Sequence, residues 1–153
     1  MATPVTKARL RAYLVLKQEI DNQIERLTRM RASLEDASHE GMSEIQHLKY
    51  VDDRIGATLA RIEKLEKSIT FNIAKAKIEE AVIEKAIGLM AYPQEKQILH
   101  LKYIDNLSWE EVSEALYGKY RDYNDNLENY NRSMYYLHGR ALLHIEVVSG
   151  GMN

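Results

Sequence analysis

Apolar residues recur three and four positions apart through most of the chain, which is the spacing of one face of an α-helix; the pattern predicts no β-strand. Thr3 and Pro4 read as the cap and first position of a helix running to about Glu35. Its stripe is Leu10, Tyr13, Ile20, Ile24, Leu27 and Leu34, interrupted by Lys17 and Arg31. The stretch "DASHEGMS" breaks the pattern, and Ser43 with Gln46 forms a capping box for a second helix. There the stripe is Ile55, Leu59, Ile62, Ile69, Ile73, Ala76, Ile83 and Ile87, with Glu66 and Glu80 on the same seam. A continuous helix from Ser43 to Ala91 would span about 70 Å at ~1.5 Å per residue, with Gly56 and Gly88 as candidate bends. A helix of that length needs a partner along its stripe. The first helix folding back supplies one, and a second copy of the chain supplies another, because the second stripe outruns the first.

Beyond residue 92 the elements shorten. Pro93 opens "PQEKQILHLKYI", with Ile98, Leu99, Leu101 and Ile104 as its apolar face. "DNLS" is a tight turn, and Ser108 with Glu111 is a second capping box, opening a helix from Trp109 to Leu116. Residues 117–130, "YGKYRDYNDNLENY", form a helix extension with a loop or a small inserted element. A last helix covers about 131–147, and "SGGMN" reads as a frayed tail. The expected fold is therefore all-α: a long helical hairpin over 1–92 as a dimerisation or spacing arm, a helix-turn-helix domain over 93–148, and a flexible tail over 149–153.

Composition narrows the function. The chain has 153 residues, 29% of them charged, and no cysteine, which removes disulfides, thiolate zinc sites and cysteine nucleophiles. No apolar run reaches membrane-spanning length and no signal-peptide core is present, so a cytoplasmic location is expected. Net charge is −2, and residues 93–153 carry 6 basic against 9 acidic side chains. A broad electrostatic grip on nucleic acid is excluded, so any DNA contact has to come from a local patch.

A helix-turn-helix needs a short first helix, a connection, and a second helix whose outer face is free to enter the major groove. Trp109, Val112 and Leu116 are the packing side of the first helix; Met134, Leu137, Ala141 and Ile145 are that of the second. Asn131, Arg132, Ser133, Tyr135, Tyr136 and Arg140 are left outside as candidate DNA-binding residues. From Asn131 to Ile145 no acidic residue occurs, as a surface facing phosphate requires. A plain C-terminal helical bundle accounts for the same spacing.

"YIDNLSWEEVSEAL" followed by "YLHGRALLHI" resembles the C-terminal part of phage and prophage regulators of Gram-positive bacteria, the ArpU/RinA-like late-gene activators. That part in turn looks like region four of bacterial sigma factors. The resemblance implies a transcription regulator of phage or prophage genes in the host cytoplasm, with residues 131–145 as its DNA-reading helix and host RNA polymerase as a further partner. Sigma-type recognition helices carry Arg, Glu and Gln where this chain has Asn131, Arg132, Ser133, Tyr135 and Tyr136, so the promoter sequence does not carry over. Leu143 stands where a basic residue is frequent, and residues 117–130 lengthen the connection.

Other candidate chemistry is sparse. Tyr117, Tyr120, Tyr123 and Tyr130 form either a base-stacking platform or a packed ring cluster. His138 and His144 do not share a helix face and His100 shows no carboxylate set, so no metal site is expected; His138 is read as a local hydrogen bond or a phosphate contact. Gly139 in mid-helix suggests a close backbone approach. No phosphate loop, paired-acid cleft or nucleophile constellation is visible, so neither enzyme activity, cofactor nor small-molecule substrate is expected. The expected partners are double-stranded DNA and a second copy of the chain. The rival readings are a small terminase-like packaging subunit and a helical adaptor that binds no DNA.

Overall fold

The computed structural model describes residues 3–39 and 45–151, and among these every regular element is helical. The order is α1 (Lys7–His39), α2 (Ile45–Gly88), α3 (Pro93–Leu99), a π-helical turn (His100–Ile104), α4 (Trp109–Tyr117) and α5 (Leu127–Gly150). The expected capping box of Ser43 and Gln46 lies outside the residues whose side chains are described.

The chain divides into two compact units. One consists of residues up to Val15 together with those from Lys77 onward; the other is Leu16–Ala76. The expected boundary at residue 92 differs from this division: the first two turns of α1 and the last three of α2 belong with the C-terminal helices.

The Leu16–Ala76 unit is an antiparallel hairpin. Gln23 of α1 donates to Ser68 and accepts from Asn72 of α2, while Arg31, further along α1, pairs with Glu66, further back along α2. Leu27, Ile62 and Ile69 form its core, flanked by Met30, Leu34, Leu65 and Ile73. Ile69 of the second stripe is covered by α1, whereas Ile24 and Leu59 of the expected stripes are exposed. Gly56 interrupts nothing: α2 runs through it, about 66 Å in all at ~1.5 Å per residue.

In the other unit, Val5, Leu10 and Tyr13 meet Ile83, Ala86, Ile87 and Met90 of α2, Ile98, Leu99, Tyr103 and Val112 of the short helices, and Met134, Ala141 and Ile145 of α5 in one buried core. Two helix ends depart from expectation here. The cap of α1 is Thr6, whose Oγ1 accepts from the Arg9 amide at 3.2 Å, and not Thr3. Residues 3–5 lie ahead of the helix, with Val5 wholly buried and its amide donating to Ser149 Oγ at 2.7 Å. At the other end α2 stops at Gly88, three residues before Ala91. Pro93 forces Tyr92 into extended backbone (φ −101°, ψ 118°), and a helix cannot approach it.

Past Pro93, the single helix expected over 93–104 is α3 continued by a π-helical turn, closed by Asp105 N→His100 O at 2.9 Å. Asn106 takes positive φ (55°), as asparagine can, and turns the chain into α4. Both halves of the Ser108–Glu111 capping box are present. Ser149 is buried and inside α5, so the expected tail over 149–153 is instead the end of a helix, at least to Gly150.

Candidate nucleic-acid interface

The candidate surface is built on α4 and α5 with the π-helical turn beneath them. Val112 and Ser113 turn the buried side of α4 inward; Met134, His138, Ala141 and Ile145 do the same for α5. Of the six expected core residues, Val112, Met134 and Ala141 are buried, whereas Trp109, Leu116 and Leu137 are only half-buried. Trp109 lies at the rim. Its ring meets the His138 ring edge-on (centroids 4.7 Å) and the Tyr135 ring (5.3 Å), and the Lys102 ammonium sits 4.6 Å over it.

His138 is not a phosphate contact. It is buried, and its Nε2 lies 2.9 Å from the Tyr103 hydroxyl. Burial, and then the charges of Lys7, Lys102 and Arg11, push its ring down to about 4, so it is neutral at physiological pH. The same interactions show that Lys7 and Arg11, from the first two turns of α1, act on the α5 side of the unit. They have no acidic neighbour in the sequence: residues 1–15 contain three basic side chains and no acidic one. Sequence reading assigned them to the arm and so missed them. Val5, an isolated apolar residue before the first cap, was the available signal.

Five of the six expected DNA-binding residues, Arg132, Ser133, Tyr135, Tyr136 and Arg140, are exposed on α5; Asn131 is half-buried toward the core side. Four of the five are engaged within the chain, Tyr135 through the Trp109 ring and Tyr136 through Arg140. Arg132 pairs with Glu128 one turn earlier, at 3.5 Å. Arg140 lies against the rings of Tyr92 and Tyr136 (6.0 and 5.9 Å), with Nε 3.9 Å from a carboxylate oxygen of Glu95. The acid-free window from Asn131 is shorter than the helix, because α5 starts at Leu127 and its first turn carries Glu128.

Glu95 is a site that sequence reading overlooked. It is 2% exposed, and both its oxygens lie 2.7 Å from His144 Nδ1. Tyr92 covers the His144 ring at 5.7 Å. The signal was there: Glu95, Ile98 and Leu99 are three and four residues apart on one apolar face of α3. The hydrogen bond to His144 ties α3 to α5 and leaves the buried Glu95 side chain partnered. His100 likewise has carboxylates within reach, Asp105 at 3.3 Å and Glu84 at 3.8 Å, where the sequence suggested none.

The connection from α4 to α5 is a knot of tyrosines. Tyr130 stacks parallel on Tyr120 (5.8 Å, 2°) and tilts against Tyr117 (5.2 Å) and Tyr123 (5.8 Å). Its hydroxyl donates to Asp122 at 2.5 Å, and that bond holds the phenol up at about 12. Tyr123 donates to Ser113 of α4 at 3.1 Å. The rings face one another, which is the packed alternative of the two that the sequence left open.

The outermost face of α5 is largely apolar. Tyr136, Leu143 and Val147 are 69%, 66% and 74% exposed. Gly139 is also outward, and a Cβ there would meet nothing, so no close approach within the chain explains it. Among the described residues no helix is long and apolar enough to cross a membrane. No family model, no curated protein and no solved structure matches this chain.

Proposed function

We propose that the chain is a DNA-binding transcription regulator of the phage type, with α4 and α5 acting as a helix-turn-helix and the hairpin as a spacing and pairing arm. The observation that carries this reading is the packing at the rim. A two-turn α4, opened by a complete capping box, packs Val112 inward and leaves Arg132, Ser133, Tyr135 and Tyr136 exposed on α5, while the Lys7, Arg11 and Lys102 charges act on His138 of the same helix. An otherwise acidic chain thereby brings cations to a helix whose outer face is exposed. A homodimer supplies two half-sites, and host RNA polymerase contact belongs to the same proposal.

The test is fluorescence anisotropy on a duplex selected from genomic fragments, at several salt concentrations. Arg132→Ala is expected to weaken the selected duplex more than random DNA, by roughly 1–3 kcal/mol if Arg132 reads guanine. Lys7→Gln with Arg11→Gln should weaken both duplexes and flatten the salt slope by about one unit for each phosphate left unneutralised. Unchanged binding in all variants, with folding intact, removes the reading.

A second reading has its own support. The exposed Tyr136, Leu143 and Val147 suit a protein surface better than a phosphate backbone, so a helical adaptor that binds no DNA is the alternative. Under it, Leu143→Asp abolishes partner binding and duplex affinity is absent from the outset.

A further inference from the structure

Between α1 and α2, within the Leu16–Ala76 hairpin, lies a cleft of about 350 Å³ lined by Arg26, Met30, Arg61, Lys64, Leu65 and Ser68. Its chemistry is one-sided. Three of the six side chains are cations, one from α1 and two from α2, and none of them makes an ion pair with a described residue. The carboxylates nearest in sequence to the two α2 cations are committed elsewhere, Glu63 to Lys67 and Glu66 to Arg31, while Glu25 adjoins Arg26 in sequence without pairing with it. Met30 and Leu65 add apolar surface to the lining, and the three cations are exposed around it.

The sixth residue points the same way. Asn72 donates its amide to Gln23, and Gln23 donates its own amide to Ser68 Oγ, both at 3.0 Å. The serine oxygen is therefore used as an acceptor, while its proton is given to no described group. A directed relay across the hairpin thus ends in a hydroxyl donor at the cleft wall. Every polar side chain lining the cleft can donate, and only the Ser68 oxygen can also accept. Three like charges around one space repel, and what relieves them is an anion with several acceptor oxygens.

We propose that this cleft is a phosphate-binding site, in which Arg26 and Arg61 grip the phosphate oxygens with their planar guanidinium groups, Lys64 supplies a point charge and Ser68 donates a hydrogen bond. Planar forks match phosphate oxygens two at a time. The phosphate comes from one of two sources, a free di- or triphosphate such as a nucleotide, or the backbone of a nucleic acid. The proposal does not rest on the DNA reading of α5, since a free phosphate satisfies it.

The experiment is titration of the full chain with pyrophosphate and with ATP by calorimetry, and with a labelled 20-base-pair duplex by anisotropy. Wild type is compared with Arg26→Gln/Arg61→Gln, Ser68→Ala and, as an exposed cation outside the cleft, Arg29→Gln. The double variant should bind the preferred source about tenfold or more weakly, and Ser68→Ala a few-fold more weakly, each group removed acting at the scale of a charged hydrogen bond. Arg29→Gln should match wild type. Weakening confined to pyrophosphate and ATP assigns a free phosphate; weakening confined to the duplex assigns a backbone contact. Circular dichroism checks that the variants, all altered at or near the hairpin surface, keep their helices. Absence of binding to all three probes, or equal binding by wild type and double variant, overturns the proposal. Arg132→Ala run beside them separates this outcome from a failure of the α5 reading, because it leaves the cleft intact.

Discussion

His138 is the histidine whose ring meets the chain's single tryptophan, and its neighbours decide its protonation. Tyr103 offers a hydroxyl at 2.9 Å, Trp109 an edge, and Lys7, Arg11 and Lys102 three positive charges. Burial among them favours the neutral ring most, and the three charges add to it. The unfolded chain releases this constraint, so its histidine titrates near 6.5, against about 4 in the fold. Between those values the unfolded state holds more protons, and stability is lost as pH falls through this window. The contribution is complete above about pH 6.5 and amounts to at most about 3 kcal/mol. Thermal melts at pH 7.5 and 5 should show a drop in wild type that His138→Phe reduces; identical pH dependence in the two would mean that the ring is solvated. At this scale the sequence was partly readable. It singled out Trp109 and His138 as special, but the tripeptide "LHG" does not say whether its histidine faces water or core; burial and the Tyr103 hydroxyl select the hydrogen bond of the two roles expected of it.

The helices themselves were the most legible level, because their signals are local. Ser108 and Glu111 form the capping box that their spacing announces. Ser108→Ala should destabilise the C-terminal unit by about 1 kcal/mol, measurable as a shift in urea midpoint without change of slope; no shift would place the start of α4 elsewhere in solution. Even the charged interruptions of the stripes were informative in pairs. Arg31 and Glu66 each break one seam, and across the hairpin they meet each other. Glu80 breaks the other end of the same stripe and accepts from Tyr13. What a stripe cannot carry is an end set by distant residues. Thr6 replaces Thr3 as the cap because of Val5 and Ser149, and α5 opens four residues early at Leu127, with Tyr130 in the tyrosine knot. For the candidate interface, the exposed positions of α5 were readable from period alone, whereas the Lys7 and Arg11 charges that reach His138 come from the opposite end of the sequence.

At the scale of the molecule, the contact between Val5 and Ser149 joins the first element to the last. Ser149 Oγ accepts the Val5 amide and donates to the Ile145 carbonyl at 2.6 Å, so one hydroxyl satisfies both segments. Ser149→Ala leaves a buried amide without an acceptor and should cost roughly 1–3 kcal/mol. Hydrogen exchange should then quicken at Val5 and at the end of α5 together. If only one segment responds, the two are not coupled as described. A chain shortened after Val148 should be destabilised further, where a flexible tail would have been dispensable.

That same closure sets a timetable for synthesis. The hairpin of residues 16–76 has its partners close in sequence and can form as soon as it leaves the ribosome. Leu10 and Tyr13, although made earlier, face a core finished only by α5. At about 5–20 residues per second, more than 100 further residues separate their emergence from that of Ile145, a wait of roughly 5–30 seconds. During that interval the nascent chain carries an apolar N-terminal patch beside a finished hairpin. A translational pause before α5 is made, or loss of α5, would prolong the interval and make residues 5–13 a point of capture by chaperones.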